Sequence, residues 1–188
     1  MSPVAIGLSA LVILLQALPA AYREALRFDH GALAQGELWR AFTGHFLHLG
    51  WRHMALNLVG LWLCCALAGP RMSSLTLLAR LFTLALGVSA LLYGLSPQVS
   101  DYVGLSGVLY GLLLWTLLAQ VHRRDALSVL ALAALVAWAA WQAHAGANPH
   151  EEALLGGRII VQAHLYGLAV GLAGWVIERV FAFRTRVS

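Results

Sequence analysis

Four polar residues lie within long apolar stretches of this chain and are of types that can act together in nucleophilic catalysis. They are His53 and Asn57 on the second apolar stretch, Ser106 at the start of the fourth and His164 on the sixth. A serine hydroxyl becomes a nucleophile when a base within hydrogen-bond reach takes its proton, and imidazole is a suitable base. An imidazole and an amide can also donate hydrogen bonds to the oxyanion that such an attack generates. These four residues are therefore the first candidates for a functional site.

The segment around Ser106, Gly-Leu-Ser-Gly at 104–107, has a structural explanation beside the catalytic one. Small residues near the start of a membrane helix are frequent because they allow helices to pack closely. The segment also differs from the nucleophile elbow of soluble hydrolases, which has glycine two places after the serine, where this chain has Val108. A serine at a helix N-terminus does lie beside unpaired backbone N–H groups, which favour negative charge. The segment alone leaves both explanations open.

The spacing of His53 and Asn57 places both side chains on one face of a helix, because residues four apart lie one above the other. A hydrogen bond that supports helix packing is the simpler explanation of this pair. The functional explanation is that an imidazole and an amide aim their donors at one point, as an oxyanion hole requires. The pair alone does not decide between them.

Small residues beside Ser106 and His164 provide a reason for these two side chains to meet. They recur at a spacing of four on two stretches: Gly107 and Gly111 on the fourth, and Ala163, Gly167 and Gly171 on the sixth. Helix faces built from such residues allow close backbone approach in membranes. We therefore predict that the fourth and sixth helices pack closely, with Gly107 making room for His164. A lone histidine in a membrane helix could otherwise serve proton transfer or packing.

The remaining polar residues are weaker candidates because they lie near the ends of stretches or in loops. Gln142 and His144 lie near the end of the fifth stretch, and His45 and His48 lie in the first loop. No acidic residue occupies an obvious third position, so a Ser-His dyad is predicted rather than a Ser-His-Asp triad. No His-Glu-x-x-His motif occurs and no carboxylate is in register with the loop histidines, so neither a metal nor a cofactor is expected.

The composition excludes an ordinary soluble domain, because 61% of the 188 residues are hydrophobic and only 11% are charged, against about 25% charged in soluble domains. Backbone groups in lipid must bond internally, and long apolar runs favour helices over the alternating pattern of a barrel. The fold class predicted is therefore an all-α membrane protein. The formal charge of +4 comes from arginines that mostly flank the apolar stretches, which indicates membrane orientation rather than a nucleic-acid partner. The adjacent Cys64 and Cys65 point in different directions on a helix, so no disulfide is expected between them.

Six transmembrane helices are predicted in one domain that covers residues 1–188. The predicted spans are about 4–21, 52–68, 75–95, 104–121, 126–145 and 159–183. The first stretch is expected to be retained rather than cleaved as a signal peptide, because no positive charge precedes it. The first loop, 22–51, contains Trp39 and Trp51 and is predicted to lie in the membrane interface. Arg80 lies near the start of the third span, where its side chain could reach the interface.

Arginines in alternate loops predict that both termini lie in the cytoplasm. The loops on the side of the termini contain Arg71, Arg123, Arg124, Arg184 and Arg186, whereas the opposite short loops contain Arg158. Positively charged residues are enriched on the cytoplasmic side of membranes. Residues 22–52 carry four further arginines, which argues the other way, but three acidic residues in the same segment reduce its net charge.

Together these residues resemble the rhomboid family of intramembrane serine proteases. The motifs that carry the resemblance occur in the family's order: Trp39-Arg40, His53-x-x-x-Asn57, Gly104-Leu105-Ser106-Gly107 with Tyr110, and Ala163-His164-x-x-Gly167. With the six predicted spans, the resemblance covers essentially the whole chain. The chain is most similar to the rhombosortases, a compact branch of the family, in its small size and in the runs 39–51 and 102–109.

The resemblance implies a rhomboid-like bundle of six transmembrane helices in which Ser106 is the nucleophile. His164 would be the general base and would later protonate the leaving amine. His53 and Asn57, with the backbone N–H of Ser106, would stabilise the oxyanion. Supporting roles fall to four further residues: Gly104, Gly107, Tyr110, whose ring would pack against the catalytic histidine, and Gly167. His48 matches a first-loop histidine that supports the fold, whereas His45 is offset by one place from a family position and receives no role.

Rhombosortases are associated with substrates that carry a glycine-rich C-terminal motif, a transmembrane helix and a basic tail. The resemblance therefore implies a multi-pass protein of the bacterial inner membrane that cleaves exported proteins near such an anchor. A glycine-rich segment is a reasonable target because each helical glycine already costs about 1 kcal/mol relative to alanine. The fifth span, with Trp138 and Trp141, and the loop 146–158 are candidates for a lateral gate.

The main alternative is a catalytically inactive rhomboid-like protein that binds membrane clients. Such relatives lack the serine or the histidine, and this chain retains both Ser106 and His164. A transporter is a further alternative, but the four polar residues within the spans form no continuous path along any one helix.

Overall fold

The computed structural model describes residues 3–122 and 125–187, and the side chains of residues 71 and 185–187 lie outside this description. Its helices are α1 (Pro3–Ala17), α2 (Ala20–Leu26), α3 (His30–Ala34), α4 (Arg40–Thr43), α5 (Trp51–Ala68), α6 (Ser74–Leu95), α7 (Ser106–Val121), α8 (Ala126–Ala145), α9 (Pro149–Leu155) and α10 (Val161–Val187). Two short strands, β1 (Phe28–Asp29) and β2 (Asp101–Tyr102), pair antiparallel. The protein is mostly helical, as predicted.

Four helices, α5, α6, α8 and α10, are long and apolar enough to cross a membrane. A span needs about 20 predominantly apolar residues. The prediction of a multi-pass helical membrane protein is therefore confirmed. The apolar helices α1 and α7 are shorter, with 15 and 16 residues, so their membrane crossing, and with it the six-span arrangement, stays a prediction.

The helix boundaries differ from the predicted spans at three places. The first predicted span, 4–21, is divided, because Pro19 adopts an extended ψ of 149° between α1 and α2 and proline disfavours helical conformation in the residue before it. The fourth helix begins at Ser106 rather than at Gly104, whose φ of +130° is not helical. The loop 146–158 contains α9, which begins after Asn148; the Asn148 side chain accepts a hydrogen bond from the backbone N–H of His150.

The arginines that predict the orientation of the chain are only partly described. Arg123 and Arg124 lie outside the described residues, as do the side chains of Arg71 and Arg186. The cytoplasmic location of both termini therefore stays a prediction.

The first loop, residues 22–51, is folded onto the bundle. It contains α2, α3, α4 and a single 3₁₀ turn at Gly44–Phe46. The guanidinium of Arg40 pairs with Glu37, with 2.6 Å between Nε and Oε2, and donates a hydrogen bond to the carbonyl of Glu24 at 2.8 Å. These contacts close the loop on itself.

The same loop is joined to the segment that leads into α7. β1 in the loop pairs with β2 in that segment, which places Phe28 opposite Tyr102. Two residues after Tyr102 there is a second link, in which the backbone N–H of Gly104 donates to the carbonyl of Gly44 at 3.2 Å. The first loop thus fixes the backbone immediately before Ser106.

α7 is the central helix of the bundle and packs against α5, α6, α8 and α10. Its closest partner is α10, and the two meet through the small residues that the sequence places at a spacing of four. A methyl group at Gly167 would overlap the carbonyl oxygen of Gly107, and one at Gly171 would overlap the carbonyl oxygen of Gly111. The two backbones are therefore in direct contact.

Arg80 is paired within the bundle, whereas the sequence suggested that it reaches the interface. Its guanidinium lies 2.9 Å from Glu178 on α10 and 4.7 Å from the centre of the Trp115 ring on α7. The indole N–H of Trp115 donates to the same carboxylate at 2.8 Å. Arg80 and Glu178 are 98 positions apart in the chain. They pair because charges within spans are stabilised by an opposite charge.

The contact between α7 and α10 predicts that Gly167→Ala destabilises the protein, because the added methyl group would push the helix backbones apart. Overpacking of this kind costs about 1–3 kcal/mol, which lowers an unfolding temperature by about 2–4 °C per kcal/mol in a chain of this size. Thermal unfolding in detergent measures the effect. The matched control is Gly94→Ala on α6, where a methyl group meets nothing within 4 Å, and it should leave the unfolding temperature unchanged or raise it slightly. Equal unfolding temperatures for Gly167→Ala and Gly94→Ala would contradict the prediction.

Candidate active site

Ser106 and His164 lie within hydrogen-bond distance, with 3.0 Å between the serine Oγ and the histidine Nε2. Ser106 is the first residue of α7, and His164 lies in the first turn of α10. The approach depends on Gly107, where a Cβ would lie only 2.8 Å from the carbonyl oxygen of Ala163. Residues 58 positions apart in the chain therefore meet because the helix starts that carry them touch through small residues.

Gly104 determines the backbone conformation just before Ser106. Its φ of +130° is one that glycine adopts readily and other residues rarely do. A Cβ at this position would also lie 2.7 Å from Cε1 of His53. The buried Tyr102 hydroxyl donates to the carbonyl of Gly104 at 2.5 Å and accepts from the N–H of Gly107 at 3.4 Å. Burial raises the pKa of Tyr102 to about 12, so this phenol stays a neutral donor.

The ring of His53 and the hydroxyl of Ser106 both lie beside Gly104. Its Nδ1 accepts a hydrogen bond from the backbone N–H of Leu49 at 3.4 Å, so the proton of the neutral imidazole is on Nε2. A Cβ at Gly104 would lie 3.0 Å from that Nε2 and 3.8 Å from the Oγ of Ser106. The Nε2–H of His53 is therefore a donor beside Gly104, and His53 and Ser106 line the same cavity.

Asn57 lies one turn further along α5 and its side chain is buried. One amide N–H donates to the carbonyl of His53 at 3.0 Å. The amide group has two N–H donors, so the second is available to a group in the cavity that Asn57, His53 and Ser106 line together. The structure brings all four of the predicted polar residues to this cavity.

The cavity has a volume of about 400 Å³ and lies between α5, α7 and α8. It extends along α5 from His53 to Cys64, about 16 Å at 1.5 Å per residue. Three large apolar side chains of its lining are also exposed: Leu56, Leu63 and Trp138. Because these are large apolar residues on predicted spans, the cavity has an apolar rim that faces outward from the bundle.

Besides Ser106, the residues Tyr110 and Gln142 contact the ring of His164 and position it. The ring of Tyr110, one turn along α7 from Ser106, stacks on it with 4.2 Å between centroids and an angle of 2° between planes. The Nδ1 of His164 lies 3.0 Å from Oε1 of Gln142 on α8. The hydroxyl of Tyr110 donates to the same amide oxygen at 3.2 Å.

Gln142 is the site residue that reasoning from the sequence ranked too low. It lies near the end of an apolar stretch, where polar residues are common, so its position alone does not indicate a functional role. The available signal was its spacing of four from Trp138, which puts both on one face of the helix. Its neighbour His144 is exposed, and Trp141 is exposed and lies outside the cavity lining.

Two of the three first-loop histidines, His45 and His48, are buried near the site. His48 is buried and packs edge-on against the ring of His53, with 5.0 Å between centroids. His45 is buried beside Ser89, with 2.9 Å between Nε2 and Oγ. Burial lowers the pKa of His48 to about 3 and the pKa of His45 to about 4, so both rings are neutral. Within residues 3–122 and 125–187, no group of three His, Cys, Asp or Glu side chains is arranged to hold a metal ion.

Comparison with known proteins finds a family model that covers the candidate site. A family model described as Rhomboid domain matches residues 35–179, a range that includes His53, Asn57, Ser106 and His164. The chain is 31% identical over 148 residues to the "Rhomboid protease GlpG" of Salmonella choleraesuis (strain SC-B67). It is 30% identical to the proteins of that name in Salmonella newport (strain SL254) and Salmonella heidelberg (strain SL476). Each alignment covers 73% of this chain and 47% of the relative, so the chain spans about half the length of these relatives.

The pairing of Ser106 and His164 predicts a reactive serine that a fluorophosphonate probe labels in detergent or in liposomes. Ser106→Ala should abolish labelling, and His164→Ala should slow it by about 100-fold or more, because removal of a general base costs about 10²–10⁴ in rate. Gel fluorescence after a timed reaction measures the label. Ser9→Ala on α1, whose hydroxyl bonds to its own helix, is the matched control and should be labelled like the unaltered protein. Full labelling of Ser106→Ala would refute the assignment.

Proposed function

Because the chain belongs to the rhomboid family, we propose that it is an intramembrane serine endopeptidase that uses Ser106 as nucleophile and His164 as general base. The observation that carries the proposal is the 3.0 Å contact between the Oγ of Ser106 and the Nε2 of His164. The apolar cavity beside that contact supports it, since a peptide bond must reach the serine within the bundle.

In the proposed acylation step, the Oγ of Ser106 forms a bond to the carbonyl carbon of the scissile peptide while its proton passes to Nε2 of His164. The carbonyl oxygen becomes an oxyanion. Donors for it are the Nε2–H of His53, the free amide N–H of Asn57 and the backbone N–H of Ser106, which is unpaired at the start of α7. Collapse of the intermediate breaks the C–N bond, and the imidazolium of His164 gives its proton to the leaving amine.

In the proposed deacylation step, His164 takes a proton from a water molecule, whose oxygen attacks the acyl-enzyme carbonyl. The oxyanion forms again beside the same donors. The bond to Ser106 Oγ then breaks, and the serine recovers its proton from His164. No metal or cofactor is required at any step, so the proposed chemistry is that of the protein side chains and water.

The proposed substrate enters sideways through the rim of the cavity between α5 and α8. This is supported by the outward exposure of Leu56, Leu63 and Trp138, which also line the cavity. A transmembrane helix satisfies its own backbone, so the substrate must unwind locally before its peptide bond can reach Ser106. α8 with Trp138, together with α9 in the loop 146–158, is the element that we assign to the gate.

The proposed substrates are membrane-anchored proteins with a glycine-rich C-terminal motif followed by a transmembrane helix, as for the rhombosortases that the chain resembles. Glycine is the residue, other than proline, that least favours a helix, and this supports cleavage near such a motif. The proposed location is the bacterial inner membrane with both termini in the cytoplasm. The cleavage would release or transfer an exported protein from its anchor.

The unwinding requirement predicts that replacing two glycines beside the cleaved bond by leucine slows cleavage about tenfold or more. Each glycine contributes about 1 kcal/mol to unwinding relative to a good helix former, and 1.4 kcal/mol is a factor of ten. Gel analysis of two matched single-span substrates in proteoliposomes measures the rates. Ser106→Ala, as the control, should cleave neither substrate.

Two outcomes would contradict parts of this proposal. Equal rates for the two substrates would refute the glycine-rich specificity. Binding of both substrates without cleavage by the unaltered protein would favour a client-binding protein over a protease.

A further inference from the structure

Gln142 is a buried polar residue on α8 that the predicted Ser-His dyad does not include. Its side chain is 5% exposed, and its amide oxygen lies 3.0 Å from Nδ1 of His164 and 3.2 Å from the hydroxyl of Tyr110. A glutamine buried among apolar helices is costly unless its polar atoms are bonded. These two contacts satisfy the amide oxygen of Gln142.

The bond to Gln142 selects one tautomer of His164. For Ser106 to donate its hydroxyl proton, Nε2 of His164 must present a lone pair, so a neutral ring carries its proton on Nδ1. A proton on Nδ1 needs an acceptor, and Oε1 of Gln142 is an acceptor only. The opposite tautomer would put a lone pair on Nδ1 against the lone pairs of that oxygen. The amide oxygen therefore favours the tautomer in which Nε2 can act as a base.

Tyr110 contacts both Gln142 and His164. Its hydroxyl donates to Oε1 of Gln142 at 3.2 Å, so the same amide oxygen accepts from the phenol and faces Nδ1 of His164. The same tyrosine stacks its ring on the imidazole. Tyr110 thus sets the plane of the imidazole and Gln142 sets its rotation within that plane.

We propose that Gln142 is a positioning residue that holds His164 in the Nδ1–H tautomer and stabilises the imidazolium formed when Ser106 attacks. Ser106, His164 and Gln142 then form a triad whose third member is a neutral amide. A carboxylate in this place would stabilise an imidazolium more strongly, but it would also require desolvation of a full charge in an apolar bundle. The amide dipole gives orientation without that penalty. The kinetic consequences rest on the proposed protease function.

Among the described residues, six titratable or charged groups line the same cavity as His164 and bear on its pH dependence. They are His53 and Cys64 on α5, Tyr102 on β2, Tyr110 on α7, Glu151 on α9 and Arg158 just before α10. A substitution at Gln142 leaves these groups in place, although loss of the amide oxygen also removes the acceptor of the Tyr110 hydroxyl. A change in pH profile between variants therefore reports the contacts of that oxygen with His164 and Tyr110.

The kinetic test compares Gln142→Leu, Gln142→Met and Gln142→Glu with the unaltered protein. Leucine and methionine remove the acceptor, so kcat should fall about 10- to 100-fold with little change in KM, the value of one hydrogen bond to a charged group. Glutamate restores an acceptor, so Gln142→Glu should recover activity and shift the acid limb of the kcat profile to higher pH. Methionine has about the same volume as glutamine. If Gln142→Leu fails to fold, Gln142→Met therefore still tests the role of Gln142.

Gln16→Leu is the matched control, because Gln16 is a glutamine of similar burial, 6% exposed, on α1. It should leave kcat and the pH profile unchanged, whatever its effect on the unfolding temperature. Unchanged kcat in Gln142→Leu and Gln142→Met, or an unshifted acid limb in Gln142→Glu, would overturn the inference.

A second readout does not depend on catalysis. Nitrogen-15 NMR of histidine-labelled protein in detergent, assigned with His164→Ala, reports which ring nitrogen carries the proton. The unaltered protein should show protonated Nδ1 at His164, and Gln142→Met should lose that preference. Retention of the Nδ1–H signal in Gln142→Met would overturn the inference. If the unaltered protein shows this tautomer but neither cleaves substrates nor reacts with the fluorophosphonate, the proposed protease function fails while the role of Gln142 in positioning the ring stands.

Discussion

The backbone contact between α7 and α10 is the constraint on which the candidate site depends. Interaxial distances of packed helices are usually about 8–10 Å because side chains separate them. Here Gly107 lies against the carbonyl of Ala163, and Gly167 lies against Gly107 itself. His164 follows Ala163 directly, so the imidazole reaches Ser106 only while the two backbones touch. The small residues thus determine the geometry of the candidate site although none of them carries a functional group.

A second constraint comes from outside the bundle. Helix packing places the start of α7, but it does not determine how the chain approaches it. That path is set by the first loop, through the pairing of β1 with β2 and the bond from Gly104 to Gly44. The positive φ of Gly104 then turns the backbone so that the ring of His53 fits beside it. The first loop therefore fixes the backbone of the segment that leads into Ser106.

The features that could be predicted from the sequence are those encoded by local pattern. Long apolar runs predict helices, and glycines at a spacing of four beside Ser106 and His164 predict the contact that unites them. The pair Arg80–Glu178 could not be predicted, since it joins residues 98 positions apart. Nor could the contact of Gln142 with His164, because the spacing of four from Trp138 shows which residues share a helix face but not how α8 is rotated about its own axis. Pro19 is visible in the sequence, but the apolar run continues through it to Ala21, and such a run alone predicts one uninterrupted span.

The groups that hydrogen-bond or stack on the Ser106–His164 pair in the described part of the chain are neutral, and this follows from their surroundings. Full charges within a bundle of apolar helices must be paired, as Arg80 and Glu178 are near the other end of α7. At the site itself the polar contacts come from an amide, a phenol and a neutral imidazole, which need less solvation and still orient a proton. The charged residues that line the cavity, Glu151 and Arg158, come from α9 and the segment that follows it. α8 carries both Trp138, which lines the cavity, and Gln142, whose Oε1 lies 3.0 Å from Nδ1 of His164. The position of this one helix therefore sets both the wall of the cavity and the contact at Nδ1.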